Sequence, residues 1–418
     1  MFIFLLLACT IAALIILLRC KVPLGPAILL CGLGLWLVQK PEAAQENRQK
    51  PEVSLLIDSA KTMLLKTRTW DLVGALYFVV CLEIELRKSG CLAGMVKYLQ
   101  QLTPNKKVGM AVMPAFLGLL PSIGGARFSA PIVEKLAEGE DLKPETLGAA
   151  NFWFRHIFEF SSPIVPGMIL ACAITNVPVG SVILHLMWVS LLAFVIGWIV
   201  ILARAKMKPA VKTVISGDEL KKERADFILC FTPIIFMLVL MLAFGMSAGE
   251  SMGITAVFAW ALLKVFHRGV SLKDIFIGAL EWKLFRDVFC IFLFIEILSA
   301  TGLMNEIVAT ITAAPLPVGW IIAILSFIVG VLTGMSQGHV AIVMPIVAAL
   351  APAGNLDYLS IALVCGVGGQ MVTPTHMCLI ITLNYFKSDF FKTLWPCILC
   401  ELVIFTVFGL SVWLFPAA

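Results

Sequence analysis

The chain has 418 residues, 60% hydrophobic and 14% charged, with a mean hydropathy of +0.99 and a formal net charge of +5. These values exclude an ordinary water-soluble domain and indicate an all-α polytopic membrane protein. The small positive charge reflects loop bias and gives no reason to expect a nucleic-acid partner.

Residues 1–20, MFIFLLLACTIAALIILLRC, have no basic segment ahead of their apolar core and no small-residue cleavage site. They read as a first span rather than a signal peptide. Spans are expected near 2–18, 22–38, 71–87, 147–174 and 177–203, then 226–246, 248–264, 287–303, 356–386 and 393–415. Segments 51–70 and 271–286 mix charge with scattered Leu, Ile and Trp, as interfacial helices do. The twelve cysteines are scattered, many inside apolar stretches such as those around Cys172, Cys290, Cys365 and Cys400. They read as small packing residues, not as disulfides or a zinc site.

Two runs do not fit a simple span. Residues 317–352 contain no Asp, Glu, Lys or Arg. A helix needs about 20 residues to cross the hydrocarbon, so this run is too long for one span and too short for two with a connection. A re-entrant hairpin resolves the length, turning at Gly334-Met335-Ser336-Gln337-Gly338-His339; a long, glycine-kinked helix is the alternative. Residues 107–136 pose the same case, with a tip at Ser122-Ile123-Gly124-Gly125 followed by Arg127. Irregular backbone at that depth persists only where protein buries it or it lines an aqueous site.

Residues 204–226 form the one long hydrophilic connector, and the segments on either side of it match. Ile84-Glu85-Leu86 corresponds to Ile295-Glu296-Ile297, and Pro121-Ser122-Ile123-Gly124 to Met335-Ser336-Gln337-Gly338. Ser161-Ser162-Pro163 corresponds to Val372-Thr373-Pro374. The expected organisation is therefore a first repeat over 1–203, with hairpin 107–136 and broken helix 147–174. A cytoplasmic linker over 204–226 follows, then a second repeat over 227–418, with hairpin 317–352 and broken helix 356–386. Five spans plus a hairpin is an odd count, so the second copy is inverted, as in many secondary transporters. With the linker cytoplasmic, both termini are external. Of the 31 Lys and Arg, only Lys40, Arg48, Lys50, Lys61, Lys66 and Arg68 then lie outside, while Arg127 and Arg155 lie within membrane elements.

Four stretches place polar groups at membrane depth: the two tips, His156 to Pro163, and Gly368 to His376. Proline removes a donor and frees a carbonyl. Breaks at Ser-Ser-Pro and Thr-Pro-Thr-His thus offer oxygen ligands to a hard cation such as Na⁺, with Ser122, Ser161, Ser162, Ser336, Thr373 and Glu159 as coupling-ion candidates. Half-helix N-termini and donor side chains favour an anion. The anion candidates are Ser122, Gly124, Gly125, Arg127, His156, Ser336, Gln337, Gly338, His339, Thr373, Thr375 and His376. Arg127 is suited to a carboxylate, and equally to pairing with Glu159. Hydroxyls that merely glue helices are the plain alternative.

This arrangement resembles the ion transporter superfamily, which includes divalent anion/sodium symporters, citrate, gluconate and lactate permeases and sodium/proton antiporters. Residues Gly368 to Leu379, GGQMVTPTHMCL, look most like an uncharacterised prokaryotic family within it. The sodium–dicarboxylate symporters carry Ser-Asn-Thr at each tip, where this chain has Ser-Ile-Gly-Gly and Ser-Gln-Gly-His. The resemblance implies an elevator-type transporter in a prokaryotic cell membrane, with room for a homodimer. The expected function is Na⁺- or H⁺-coupled symport of a small organic anion, with no cofactor other than a coupling Na⁺. The alternative is a cation/proton antiporter using Glu159. No HExxH or GxSxG motif points to an enzyme.

Overall fold

A computed structural model describes residues 2–38, 52–102, 105–119, 126–205, 207, 217–300, 302–351 and 356–414. Among these residues the protein is all-helical. The first half holds α1 (Phe2–Arg19), α2 (Leu24–Val38), α3 (Glu52–Leu65), α4 (Thr67–Lys88) and α5 (Cys91–Leu102). It continues with α6 (Lys106–Gly118), α7 (Ala126–Ala137), α8 (Pro144–His156), α9 (Pro166–Thr175) and α10 (Val179–Gly197), which a π-turn extends to Leu202. The second half holds α11 (Gly217–Leu242), α12 (Ala248–Val265), α13 (Leu272–Gly278), α14 (Trp282–Ala300) and α15 (Leu303–Thr312). It ends with α16 (Val318–Thr333), α17 (Ser336–Leu350), α18 (Asp357–Met371), α19 (Met377–Phe386) and α20 (Phe390–Leu414). Helix α11 starts within the hydrophilic connector.

Among the described residues four helices are long and apolar enough to cross a membrane, Val179–Leu202, Gly217–Leu242, Ala248–Val265 and Phe390–Leu414, and the bent pair Trp282–Ala300 and Leu303–Thr312 would make a fifth span if counted as one. The chain is a multi-pass membrane protein. Shorter apolar pieces, among them Pro166–Thr175, Val318–Thr333, Ser336–Leu350 and Met377–Phe386, make up the rest.

Helices from before and after the connector pack on one another. Helix α4 packs on α12 and α14 on α2; α5 packs on α11 and α15 on α1. Helix α9 packs on α17, and α19 on α7. Helices α6 and α7 pack on each other and on α8, and α16 and α17 on each other and on α18. Small residues permit that approach: a Cβ on Gly118 would lie 1.9 Å from the Arg155 carbonyl oxygen, and one on Gly330 2.3 Å from that of Gly366. Membrane helices pack closely in this way because van der Waals contact, not water exclusion, holds them together.

Polar contacts fix the periphery. Ser247 and Glu250 form a capping box at the start of α12. Asp71 of α4 accepts from the Ser247 hydroxyl and, at 2.9 Å, from the Gly249 N–H. Glu296 of α14 takes Lys66 at 2.5 Å and Arg68 at 3.5 Å. Two of the six cations that break the loop-charge pattern are thus engaged by one buried acid.

Candidate functional site

Helix α8 ends at His156, passes through a 3₁₀ turn over Ile157–Phe160, and resumes as α9 at Pro166. Helix α18 ends at Met371 and resumes as α19 at Met377. The second interruption is therefore shorter than expected. Gly368 to Gln370 remain helical because no proline or unsatisfied donor occurs before Thr373-Pro374.

The two breaks share one local geometry. The Ser162 hydroxyl accepts from the Ile164 N–H at 3.3 Å, and the Thr373 hydroxyl from the Thr375 N–H at 3.4 Å. The Ser161 N–H reaches the Phe158 carbonyl at 3.1 Å, and the Val372 N–H the Gly369 carbonyl at 3.3 Å. Each hydroxyl occupies a backbone donor that its proline turn sets free. Both short helices then end on a left-handed residue, Asn176 and Lys387.

Where the breaks meet, the halves exchange side chains. His156 and His376 approach Nε2 to Nε2 at 3.1 Å, with rings nearly perpendicular. Phe152 flanks both imidazoles. Glu159 has a carboxylate oxygen 3.9 Å from His156 Nε2, because a 3₁₀ turn stacks residues three apart. The Gln370 amide donates to the other Glu159 oxygen. His156, His376 and Gln370 are all buried.

Only Gly334 and Met335 separate α16 from α17, a shorter interruption than the expected Gly334–His339 tip. Gly334 has φ +65°, a conformation that a side chain would strain. Ser336 to His339 form the first turn of α17, so their polar atoms belong to a helix rather than a loop. The tip lies against both breaks: a Cβ on Gly334 would lie 2.5 Å from Thr375 Oγ1, and one on Gly167 2.7 Å from Ser336 Oγ. Gln337 is half-buried and Gly338 packs on Thr333. His339 is fully buried against Gly366, and neither ring nitrogen has a hydrogen-bond partner among the described residues. No described contact joins it to the histidine pair.

Other expected ligands have local partners. The Ser161 hydroxyl shares a 2.7 Å hydrogen bond with Ser190 of α10, and those of Thr373 and Thr375 lie 3.0 Å apart. Ser122, Gly124 and Gly125 lie outside the described residues. Arg127 falls in the first turn of α7, and its side chain is outside them too.

Two site residues were not singled out from sequence. Arg155, buried at the end of α8, donates to the Leu117 carbonyl at 3.1 Å beside the first hairpin and acts electrostatically on Glu159 and His376. Glu401 of α20 is buried, and neither carboxylate oxygen has a hydrogen-bond partner among the described residues. It lines a narrow cavity with Trp153, His156, Ile157, Phe160 and Met371. Being the sole acid in its helix was the signal for it. A larger open groove, about 540 Å³, lies elsewhere, around Lys143, Glu145, Phe391 and Trp395. It lacks the buried polar groups that make the breaks the better candidate.

Residues 61–415 match the family model described as Protein of unknown function (DUF401). The fold is similar to that in a crystal structure of the YdaH transporter from Alcanivorax borkumensis, described as having an unusual topology. The TM-score is 0.60 at 12% identity, covering 84% of this chain and 88% of that one. No curated protein matches.

Proposed function

The chain belongs to the DUF401 family, and from that premise we propose that it is a secondary active transporter built of two inverted repeats. It carries a small organic anion, a carboxylate, coupled to Na⁺ or H⁺. One observation carries the reading: two helices, one per half, are broken at Ser/Thr-Pro, and the breaks meet in a buried cluster of His156, Glu159, Gln370 and His376. Backbone is left irregular inside a membrane only where it meets a solute or is buried by protein. Arg155 supplies a cation and the half-helix N-termini supply donors for the anion, while Glu159 and the break hydroxyls supply oxygens for the coupling cation.

The crossed contacts support the repeat, and the likeness to a solved transporter supports transport. An elevator movement would group α6–α9 with α16–α19, which pack on one another, against the α4–α12, α2–α14 and α5–α11 pairs, with α9 on α4 and α17 on α15 as the faces that would have to slide. Outer helices such as α10 and α20 leave apolar surface for lipid or a second copy.

A cation/proton antiporter is the second reading, favoured by a specific feature. Glu401 is a buried acid beside His156 and Phe160, near the break that carries Glu159. Proteoliposomes with imposed Na⁺ or pH gradients separate the two. Symport predicts gradient-dependent uptake of labelled carboxylates that falls in Arg127→Ala and Arg155→Ala. Uptake that ignores both gradients overturns symport. Na⁺-driven proton release without organic substrate, abolished in Glu159→Gln, establishes the antiporter.

A further inference from the structure

The histidine pair has a consequence that transport does not require. His156 Nδ1 lies 2.6 Å from the Phe152 carbonyl oxygen, and His376 Nδ1 lies 3.0 Å from that of Gln370. A carbonyl only accepts, so both Nδ1 atoms carry the proton. In the neutral rings both Nε2 atoms then present lone pairs, and these face each other at 3.1 Å. Two lone pairs at that distance repel unless an electrophile lies between them.

A third ligand is close by. Cys378, in the first turn of α19, places its Sγ within 4.8 Å of the imidazole ligand atoms. Around a four-coordinate zinc ion with Zn–N near 2.0 Å and Zn–S near 2.3 Å, ligand atoms lie about 3.3–3.6 Å apart. The nitrogens already have about this spacing, and the thiol needs to move by only about an ångström. Ring N–H groups held by backbone carbonyls are the usual outer partners of metal-bound histidines.

We propose that His156 Nε2, His376 Nε2 and Cys378 Sγ bind a divalent transition-metal ion of the zinc class, with Glu159 facing a fourth, open position. Borderline N and S donors select such an ion over Na⁺, Mg²⁺ or Ca²⁺. Binding breaks the Cys378 S–H bond and forms the metal–sulfur bond, and the proton leaves to solvent. The site depends on neither the anion nor the antiport reading. It assigns Cys378 a role different from the packing role expected of the cysteines.

The test uses the purified full-length protein, stripped by chelator and titrated with Co²⁺ as a spectroscopic probe of zinc sites. About one equivalent is expected to bind, giving a near-ultraviolet thiolate-to-metal band together with the intense visible bands of a tetrahedral ion. Cys378→Ser should lose the near-ultraviolet band, and His376→Asn should lower retention after desalting at least tenfold. Replacing the exposed Cys9 and Cys20 by Ser should change neither. The proposal is overturned if folded wild-type protein shows no thiolate band, a result that needs no variant to fold. Metal retention as high in Cys378→Ser and His376→Asn as in the wild type overturns it as well. Transport with no metal band would leave the proposed function standing and remove this site alone.

Discussion

Gln370 donates its amide to Glu159, and each lies three residues before the hydroxyl residue that begins its proline turn, Glu159 before Ser162 and Gln370 before Thr373. Under the proposed repeat the two positions are equivalent. Hydrogen bonds to a charged group contribute about 1.5–3 kcal/mol. Gln370→Ala should therefore slow uptake by about ten- to a hundredfold, while the exchanged pair Glu159→Gln with Gln370→Glu should recover much of the thermal stability. No recovery in the exchanged pair would show that the two positions are not interchangeable.

Arg155 tests the anion reading by geometry as much as by charge. Lysine keeps the charge and loses the planar fork that grips a carboxylate through two bonds. Arg155→Lys should raise KM for uptake about tenfold, a loss of roughly 1.4 kcal/mol, with kcat less affected. An unchanged KM would confine Arg155 to holding the Leu117 carbonyl.

Gly330 sits where α16 and α18 touch. Gly330→Ala forces a methyl group against the Gly366 carbonyl, and overpacking of this kind costs about 1–3 kcal/mol. Gly409→Ala, on α20 with nothing within 4 Å of its Cβ, is the control and should leave the melting temperature unchanged. Equal shifts in the two variants would mean the approach of α16 to α18 is not tight.

Ser161 was expected to ligate the coupling ion, yet its hydroxyl meets Ser190. Ser161→Ala should cost about 0.6 kcal/mol, the usual value for such bonds in membranes, and should leave any Na⁺ stimulation of uptake intact. Loss of Na⁺ stimulation without loss of stability would restore Ser161 as an ion ligand.

A cysteine at Ser336 reports on the hairpin. In a cysteine-free background it should react with aqueous thiol reagents and resist lipid-phase ones. Reaction from lipid alone would make α16 and α17 a kinked membrane span.

The breaks were legible from sequence because proline acts locally: Ser162-Pro163 and Thr373-Pro374 must free backbone groups whatever surrounds them. The interruption of the apolar run 317–352 was legible from its length, and the structure places it at Gly334 and Met335. The partners across the interface were not. Nothing in a uniformly apolar helix states which side it turns inward, so Glu401 passed unnoticed, and His339 read as a tip residue although it is packed against Gly366. Arg155 reads from sequence only as an intramembrane charge, because the sequence does not show that the end of α8 lies beside Leu117.

The second hairpin touches the break of each half, Thr375 on one side and Gly167 on the other. Withdrawn from both as a rigid unit, it would uncover both together. Two solutes that bind at the two breaks would therefore be admitted and released by a single event, and their stoichiometry would be a property of the hairpin. Slippage, in which one solute crosses alone, would require this turn to part from Thr375 while keeping Gly167. A two-residue turn between rigid helices has little freedom to do that.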